Sequence, residues 1–214
     1  SWPTAVAGAG PGVTAALRAR VAGLRHDGQP EGQGNRLAGA GLLAAFYEQR
    51  AFEPAWADPS RAAALLGLLR RAGEHGLEPA DFLAARFAEL AGPQATAERQ
   101  AERDLLLTEA LARYGHQRRF GKVDPVTLYP AWNFGRNPAA PEDVLALLAG
   151  AAAAPSLEAY LDEKLPASRW YRLLQAALAR YRGMAAAGGW PLLPAGPVLR
   201  PGETSRQESA FVFT

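Results

Sequence analysis

A long amphipathic helix, expected from about Ala97 to Arg118, most constrains what this chain can fold into. Four of its residues share the spacing i, i+3, i+4 and i+7 and therefore one helix face: Leu107, Ala110, Leu111 and Tyr114. No part of the sequence alternates polar and apolar residues as a half-buried strand does, so the elements that cover this face should also be helices. The sequence predicts an all-α fold, an irregular multi-helix bundle with long ordered loops.

Capping residues, proline and glycine divide the remaining sequence into further helices. Asp58 before Pro59 predicts one helix start, Pro79 a second and Pro141 a third, and Gly76 predicts a stop. A last strong helix begins near Ser168. Its apolar residues follow helical spacing along one side: Trp170, Leu173, Leu174, Ala177, Leu178 and Tyr181.

Composition along the chain predicts three segments. Residues 1–36 are rich in glycine, alanine and proline and are expected to be flexible, with a short helix around residues 13–24. Residues 37–190 form the helical domain. Residues 191–214 are proline-rich and are expected to be an extended tail.

Residues 121–140 interrupt the helical pattern with prolines, glycines and aromatic residues, which predicts an ordered irregular loop. Aromatic and cationic side chains at such a place are candidates for contact with a glycan or a partner. The candidates here are Trp132, Tyr129, Arg118 and Arg119. The alternative is that the aromatic residues pin the loop to the core and that the arginines form a solvated helix end.

The charge and residue composition exclude several functions. The chain has 23 basic and 21 acidic residues, and the arginines are scattered, which argues against a nucleic-acid partner. Cysteine is absent, which removes disulfides, thiolate metal sites and a cysteine nucleophile. The three histidines lack the i, i+4 spacing of a helical zinc site. We predict no metal and no cofactor, and no apolar run approaches the roughly 20 residues that span a bilayer.

No catalytic centre is evident, and the chain by itself is predicted not to be an enzyme. Ser60, Ser156 and Ser168 occupy N-cap or first-turn positions. Glu142 and Asp143 are first-turn charges at a helix N-terminus, and the other acidic clusters, including Glu102 with Asp104, fit solvated helix faces. Only Glu109 is a candidate for the carboxylic acid of a muramidase-like enzyme. An exposed position for Glu109 is the simpler alternative, because charged residues are rarely buried unpaired.

Several longer stretches occur in a fixed order: FYEQRAFEPAW (46–56), EHGLEPADF (74–82), ERDLLLTEALARYGHQRRFGKVDP (102–125) and LPASRWYRLLQAALARYRGMAAAGGWPLLPAGPVLRPGE (165–203). In this order, they resemble the N-terminal scaffold region of YcbB-type L,D-transpeptidases. The resemblance implies a noncatalytic scaffold domain, a periplasmic location, and a role in peptidoglycan cross-linking and cell-wall biogenesis.

In that family, the scaffold precedes a small peptidoglycan-binding-like module and a β-rich catalytic domain with a cysteine nucleophile. The LRPG segment marks the start of the module, but after Gln207 this sequence continues as ESAFVFT. The resemblance therefore implies a scaffold with only the start of the module. Its expected partner is the catalytic domain of the same parent protein, with peptidoglycan a further candidate. The alternative is a freestanding helical module that binds peptidoglycan or a protein.

Overall fold

The computed structural model describes residues 10–26, 39–82, 96–129 and 140–190, together with residues 87 and 131. Throughout these ranges the regular elements are helices and none is a strand, which confirms the all-α prediction. The α-helices are α1 (Pro11–His26), α2 (Ala40–Gln49), α3 (Pro59–Arg70), α4 (Ala97–Phe120), α5 (Pro125–Leu128), α6 (Pro141–Ala153), α7 (Leu157–Lys164) and α8 (Arg169–Ala186). Two 3-10 helices, Arg71–His75 and Pro79–Asp81, follow α3.

The long helix α4 is the centre of the body. Helices α1, α2, α3 and α6 pack against it, and α7 covers α3 and α6. The predicted inward face is buried at all four positions: Leu107, Ala110, Leu111 and Tyr114. Burial of a leucine side chain contributes about 1.5–3 kcal/mol, so this face is a main source of stability.

Helix α1 is part of this body, although it lies in the segment that was expected to be flexible. Val13, Leu17 and Val21 are buried at helical spacing, and α1 packs on both α2 and α4. The short helix expected around residues 13–24 is confirmed with wider bounds. The expectation of flexibility does not hold for Pro11–His26, because its apolar side is part of the core. The boundaries of the three segments stay predictions.

The helix starts follow the capping residues in the sequence. Asp58, Ser156 and Ser168 each accept a hydrogen bond from a backbone N–H in the first turn of the following helix. These bonds satisfy N–H groups that have no partner within the helix. Gly76 ends the first 3-10 helix with φ of +74°, a left-handed conformation that glycine adopts without strain.

Two predicted segments differ from the observed structure. The stretch Pro125–Leu128 forms the single turn α5 where an irregular loop was expected, because the Asp124 carboxylate caps it at 3.1 Å from the backbone nitrogen of Val126. The helix expected from Pro79 begins as the 3-10 helix Pro79–Asp81. Residues 83–86 and 132–139 lie outside the described residues.

A carboxylate lies inside the body. Asp104 on α4 is only 4% exposed, so its assignment to a solvated face was wrong. It accepts hydrogen bonds from the Tyr47 hydroxyl at 2.7 Å and from the backbone nitrogens of Ala55 at 2.9 Å and Trp56 at 2.8 Å. Burial raises the pKa of Asp104, and the three donated hydrogen bonds oppose this rise.

Thr108 extends the same network one turn further along α4. Its hydroxyl lies 2.7 Å from the Tyr47 hydroxyl and accepts a hydrogen bond from the Trp56 indole nitrogen at 3.0 Å. It also donates to the backbone carbonyl of Asp104 at 2.9 Å. Asp104 and Thr108 thus attach both α2 and the segment before α3 to the central helix.

The turn that this network holds has a strained backbone. Ala51 and Phe52 have φ of +53° and +63°, a conformation that costs about 1–2 kcal/mol for each residue that is not glycine. The Arg50 side chain donates to the backbone carbonyls of Glu53 at 3.2 Å and Pro54 at 3.1 Å. These bonds and the buried carboxylate together keep the turn in one conformation.

We expect Asp104→Ala to lower the free energy of unfolding by about 3 kcal/mol or more, because it leaves three buried donors without an acceptor. Urea unfolding followed by circular dichroism measures the change. Glu98→Ala on the exposed side of the same helix is the matched control and should change stability by at most about 1 kcal/mol. Equal losses in the two variants would contradict the proposed role of Asp104.

Candidate functional site: the exposed face of the last helix

Helix α8 exposes the apolar stripe that runs along one of its sides. Trp170 is 72% exposed and Leu174 is 70% exposed, while Leu173 and Tyr181 are about half exposed, at 49% and 53%. No residue of this fully described helix is buried. An apolar stripe of this kind usually faces a protein core, so α8 presents a surface that a partner can cover.

Another side of α8 contacts the body. Tyr171 and Gln175 reach His75, and Arg182 donates to the backbone carbonyl of Gly73. At 3.6 residues per turn, these side chains are centred roughly a third of a turn away from the exposed stripe. The helix is therefore attached through these polar groups and through Leu178, which is half-buried next to Gly76. Trp170, Leu173, Leu174 and Tyr181 remain open.

His75 is at the centre of this attachment. Its Nδ1 lies 2.9 Å from the Tyr171 hydroxyl, and its Nε2 lies 3.1 Å from a guanidinium nitrogen of Arg118. Because a guanidinium group can only donate, Nε2 accepts from Arg118. Nδ1 also lies 2.7 Å from the amide nitrogen of Gln175. His75 therefore links α8 to α4.

The electrostatic surroundings keep His75 neutral. Burial, followed by the adjacent Arg118 guanidinium, lowers the pKa of His75 from 6.5 to about 4. A protonated ring would have to point an N–H group at this guanidinium, which would break the bond between them. The arrangement that holds α8 is thus favoured at neutral pH.

The charged side chains of α8 are all positive: Arg169, Arg172, Arg180 and Arg182. Arg169 lies 5.9 Å from the ring centre of Trp170, and Arg180 lies 5.6 Å from that of Tyr181. Tryptophan, tyrosine and arginine are the residues that dominate the binding energy of protein interfaces. Over the described part of the chain, no helix is long and apolar enough to cross a membrane.

The four contact candidates from the sequence occupy different environments. Arg118 is only 7% exposed and donates to the Tyr114 hydroxyl at 2.9 Å, so its guanidinium has an internal structural role. Arg119 is exposed at the next position, and Tyr129 is 63% exposed after α5. Trp132 lies outside the described residues. A role in glycan or partner contact stays a prediction for these residues.

The candidate acid Glu109 is half-buried, with its side chain 21% exposed, and it has a partner. It accepts a hydrogen bond from Arg113 at 2.5 Å, and Arg113 also donates to the backbone carbonyl of Asp81 at 2.9 Å. A glycosidase acid needs an apolar cleft, which this ion pair does not provide. Among the described residues, no group of three or more acidic or histidine side chains is placed to hold a metal ion.

No local sequence pattern identifies His75 and its partners as a cluster. Tyr171 and Gln175 are 96 and 100 positions away from His75, so no local spacing connects them. The available signal was the apolar stripe of α8, but a stripe does not reveal whether another element covers it.

The fold and the exposed face of α8 define a helical domain with an apolar surface open to solvent. A family model described as the Scaffold domain matches residues 41–178, which is more than half of the chain. The chain therefore belongs to the Scaffold domain family. The match extends from α2 into α8 and includes Trp170 and Leu174. No curated protein and no solved structure matches the chain.

The lowered pKa of His75 predicts a pH-dependent stability. Between about pH 4 and 6.5 His75 binds more protons in the unfolded chain than in the folded one. Its contribution to the free energy of unfolding is therefore fully present above pH 6.5 and is lost as the pH is lowered to about 4. Because His75 is partly exposed, we expect a loss of about 1–2 kcal/mol from this group. Arg118 and Arg71 lower this pKa, whereas Asp162 raises it.

Urea unfolding at a series of pH values measures this contribution. In His75→Gln the dependence between pH 4 and 6.5 should be reduced by the amount assigned to His75. An unchanged pH profile in this variant would show that His75 does not titrate as described.

Proposed function

We propose that this chain is the noncatalytic scaffold domain of an L,D-transpeptidase, a periplasmic enzyme that cross-links peptidoglycan during cell-wall biogenesis. Membership of the Scaffold domain family supports the scaffold role. The ordered stretches that resemble YcbB-type enzymes support the parent activity. The chain contains no cysteine, so the thiolate nucleophile of such an enzyme would come from another part of the parent protein.

The observation that carries this proposal is the exposed apolar stripe of α8. Trp170, Leu174 and Tyr181 lie along one side of the helix and are more than half exposed. Burial of each such side chain contributes about 1.5–3 kcal/mol. A catalytic domain tethered in the same chain has a high effective concentration, so a small apolar surface suffices to dock it.

The scaffold would contribute to the reaction by holding this partner in a fixed orientation. The buried face of α4 makes the body rigid, and the bonds to His75 set the direction of α8 relative to it. A catalytic domain docked on α8 would keep its position while a peptidoglycan strand is placed in its site. Catalysis gains from such positioning because the reacting groups need less ordering during the reaction.

In the full-length protein that carries this domain, we expect Leu174→Asp to weaken docking of the catalytic domain by about 2 kcal/mol, or roughly 30-fold. Limited proteolysis between the domains and cross-linking of a tetrapeptide donor measure the effect. Ala179→Asp is the matched control, because residue 179 is exposed on the opposite side of α8.

The isolated scaffold is the zero-activity control, and its thermal unfolding midpoint should be the same with and without Leu174→Asp. Equal cross-linking by the two full-length variants would contradict docking through α8. The parent assignment also requires that the source gene continues into a β-rich segment with a histidine and a cysteine. A stop codon directly after codon 214 would overturn it.

A second exposed apolar surface favours a second candidate function, a freestanding module that binds peptidoglycan. Val123, Val126, Leu128 and Tyr129 are all exposed around α5, with Leu128 at 73%. Aromatic rings with an exposed face and a polar group are suited to stacking on sugars. This surface is separate from the stripe of α8 in sequence, so the two functions can be tested with different variants.

Co-sedimentation with purified peptidoglycan sacculi tests the second function. We expect Tyr129→Ala to weaken retention about tenfold, equivalent to about 1.4 kcal/mol, with the circular dichroism spectrum unchanged. Trp132→Ala tests the neighbouring aromatic residue. Trp170→Ala on α8 is the control and should be retained like the unmodified chain. Equal retention of all variants would contradict a role for residues 121–140.

A further inference from the structure

A cleft of about 230 Å³ lies between the C-terminal half of α4 and helices α6 and α7. Buried residues in its lining include Ala112, Gly115 and Leu165. The rings of Phe120 and Tyr160 also line it. The volume is smaller than the roughly 300–1,000 Å³ of sites for drug-sized ligands, so the cleft suits a ligand of amino-acid size.

Close helix packing forms the cleft walls. A Cβ atom at Gly115 would come within 2.6 Å of the Leu147 side chain, and a Cβ atom at Gly150 would overlap the Tyr160 ring. The Tyr160 hydroxyl donates to the backbone carbonyl of Ala146 at 3.3 Å, which fixes the ring. The walls are therefore held in place by tight packing.

Charges of both signs line the cleft. Arg119 comes from α4 and Lys164 from α7, while Asp143 comes from the first turn of α6. All three charged residues are exposed, and His116 of α4 also lines the cleft. Arg119 lies over the ring of Phe120, 5.6 Å from its centre. Lys164 pairs with Glu163 at 2.8 Å. Within the described residues, no ion pair joins Asp143 to either cation.

We infer that this cleft binds a small zwitterion, an α-amino acid with an apolar side chain or a molecular end of the same chemistry. Arg119 and Lys164 would bind its carboxylate, since a guanidinium group presents two parallel donors to two oxygens. Asp143 would accept hydrogen bonds from its ammonium group. The side chain would lie on the apolar lining near Ala112 and Leu165.

The charge arrangement selects this class over simpler ligands. A plain carboxylate would bind the cations but would be repelled by the carboxylate of Asp143. A plain ammonium ion would be repelled by Arg119 and Lys164. A ligand with both charges can pair its ammonium group with Asp143 and its carboxylate with Arg119 and Lys164, where it competes with Glu163 for Lys164. The inference is independent of the proposed function, because the cleft contains no residue of α8.

A titration of the full ¹⁵N-labelled chain with three ligands of the same branched carbon skeleton tests the inference. Leucine carries both charges, 4-methylpentanoate only the carboxylate, and 3-methylbutylamine only the ammonium. We expect leucine to shift the amide resonances of Gly115 and Val144 with a Kd of about 1 mM. Each ligand with a single charge should bind at least about tenfold more weakly, a difference of about 1.4 kcal/mol.

Two variants assign the charged contacts. In Arg119→Gln, leucine should bind no more tightly than 3-methylbutylamine. In Asp143→Asn, leucine should bind no more tightly than 4-methylpentanoate. Arg180→Gln on α8 is the matched control and should bind leucine normally, and the thermal unfolding midpoint of each variant verifies its fold. The inference is overturned if leucine causes no saturable shift, if 4-methylpentanoate binds as tightly, or if Arg119→Gln has no effect.

Discussion

The buried carboxylate of Asp104 determines how the helices of this domain meet. Its three donors come from α2 and from the segment that leads into α3, and it is itself part of α4. One charged group thus fixes three chain segments and a strained turn. Helices α1 and α6 pack on α2 and α4 in turn, so their positions follow from the same arrangement. A buried acid with a full set of donors specifies a geometry that apolar contacts alone leave open.

The sequence contained part of this information. Asp104 and Thr108 follow Ala101 at i+3 and i+7, which places them on the buried side of α4. The prediction nevertheless assigned Asp104 to solvent, since a carboxylate is rarely buried without partners. Those partners are 48 to 57 positions away along the chain, beyond the reach of helical periodicity. Local rules predicted the helices and their caps, but not the polar contacts between them.

Local rules also do not predict which side chains form the candidate surfaces. The spacing of Trp170, Leu174 and Tyr181 predicted an amphipathic helix, but not which side of it would meet the body. Arg118 and Arg119 were equivalent in the sequence, yet adjacent residues point about 100° apart around a helix axis. One of them therefore joins the His75 cluster inside the protein, and the other reaches the cleft.

The polar attachment of α8 also affects how the domain moves. Because no side chain of α8 is buried, release of this helix exposes little core surface and breaks mainly the hydrogen bonds to the segment after α3. Its amide hydrogens should therefore exchange with solvent through local opening, long before those of α4. A docked partner would slow this exchange by covering the stripe. The last helix would then be a separate cooperative unit whose order reports whether the surface is occupied.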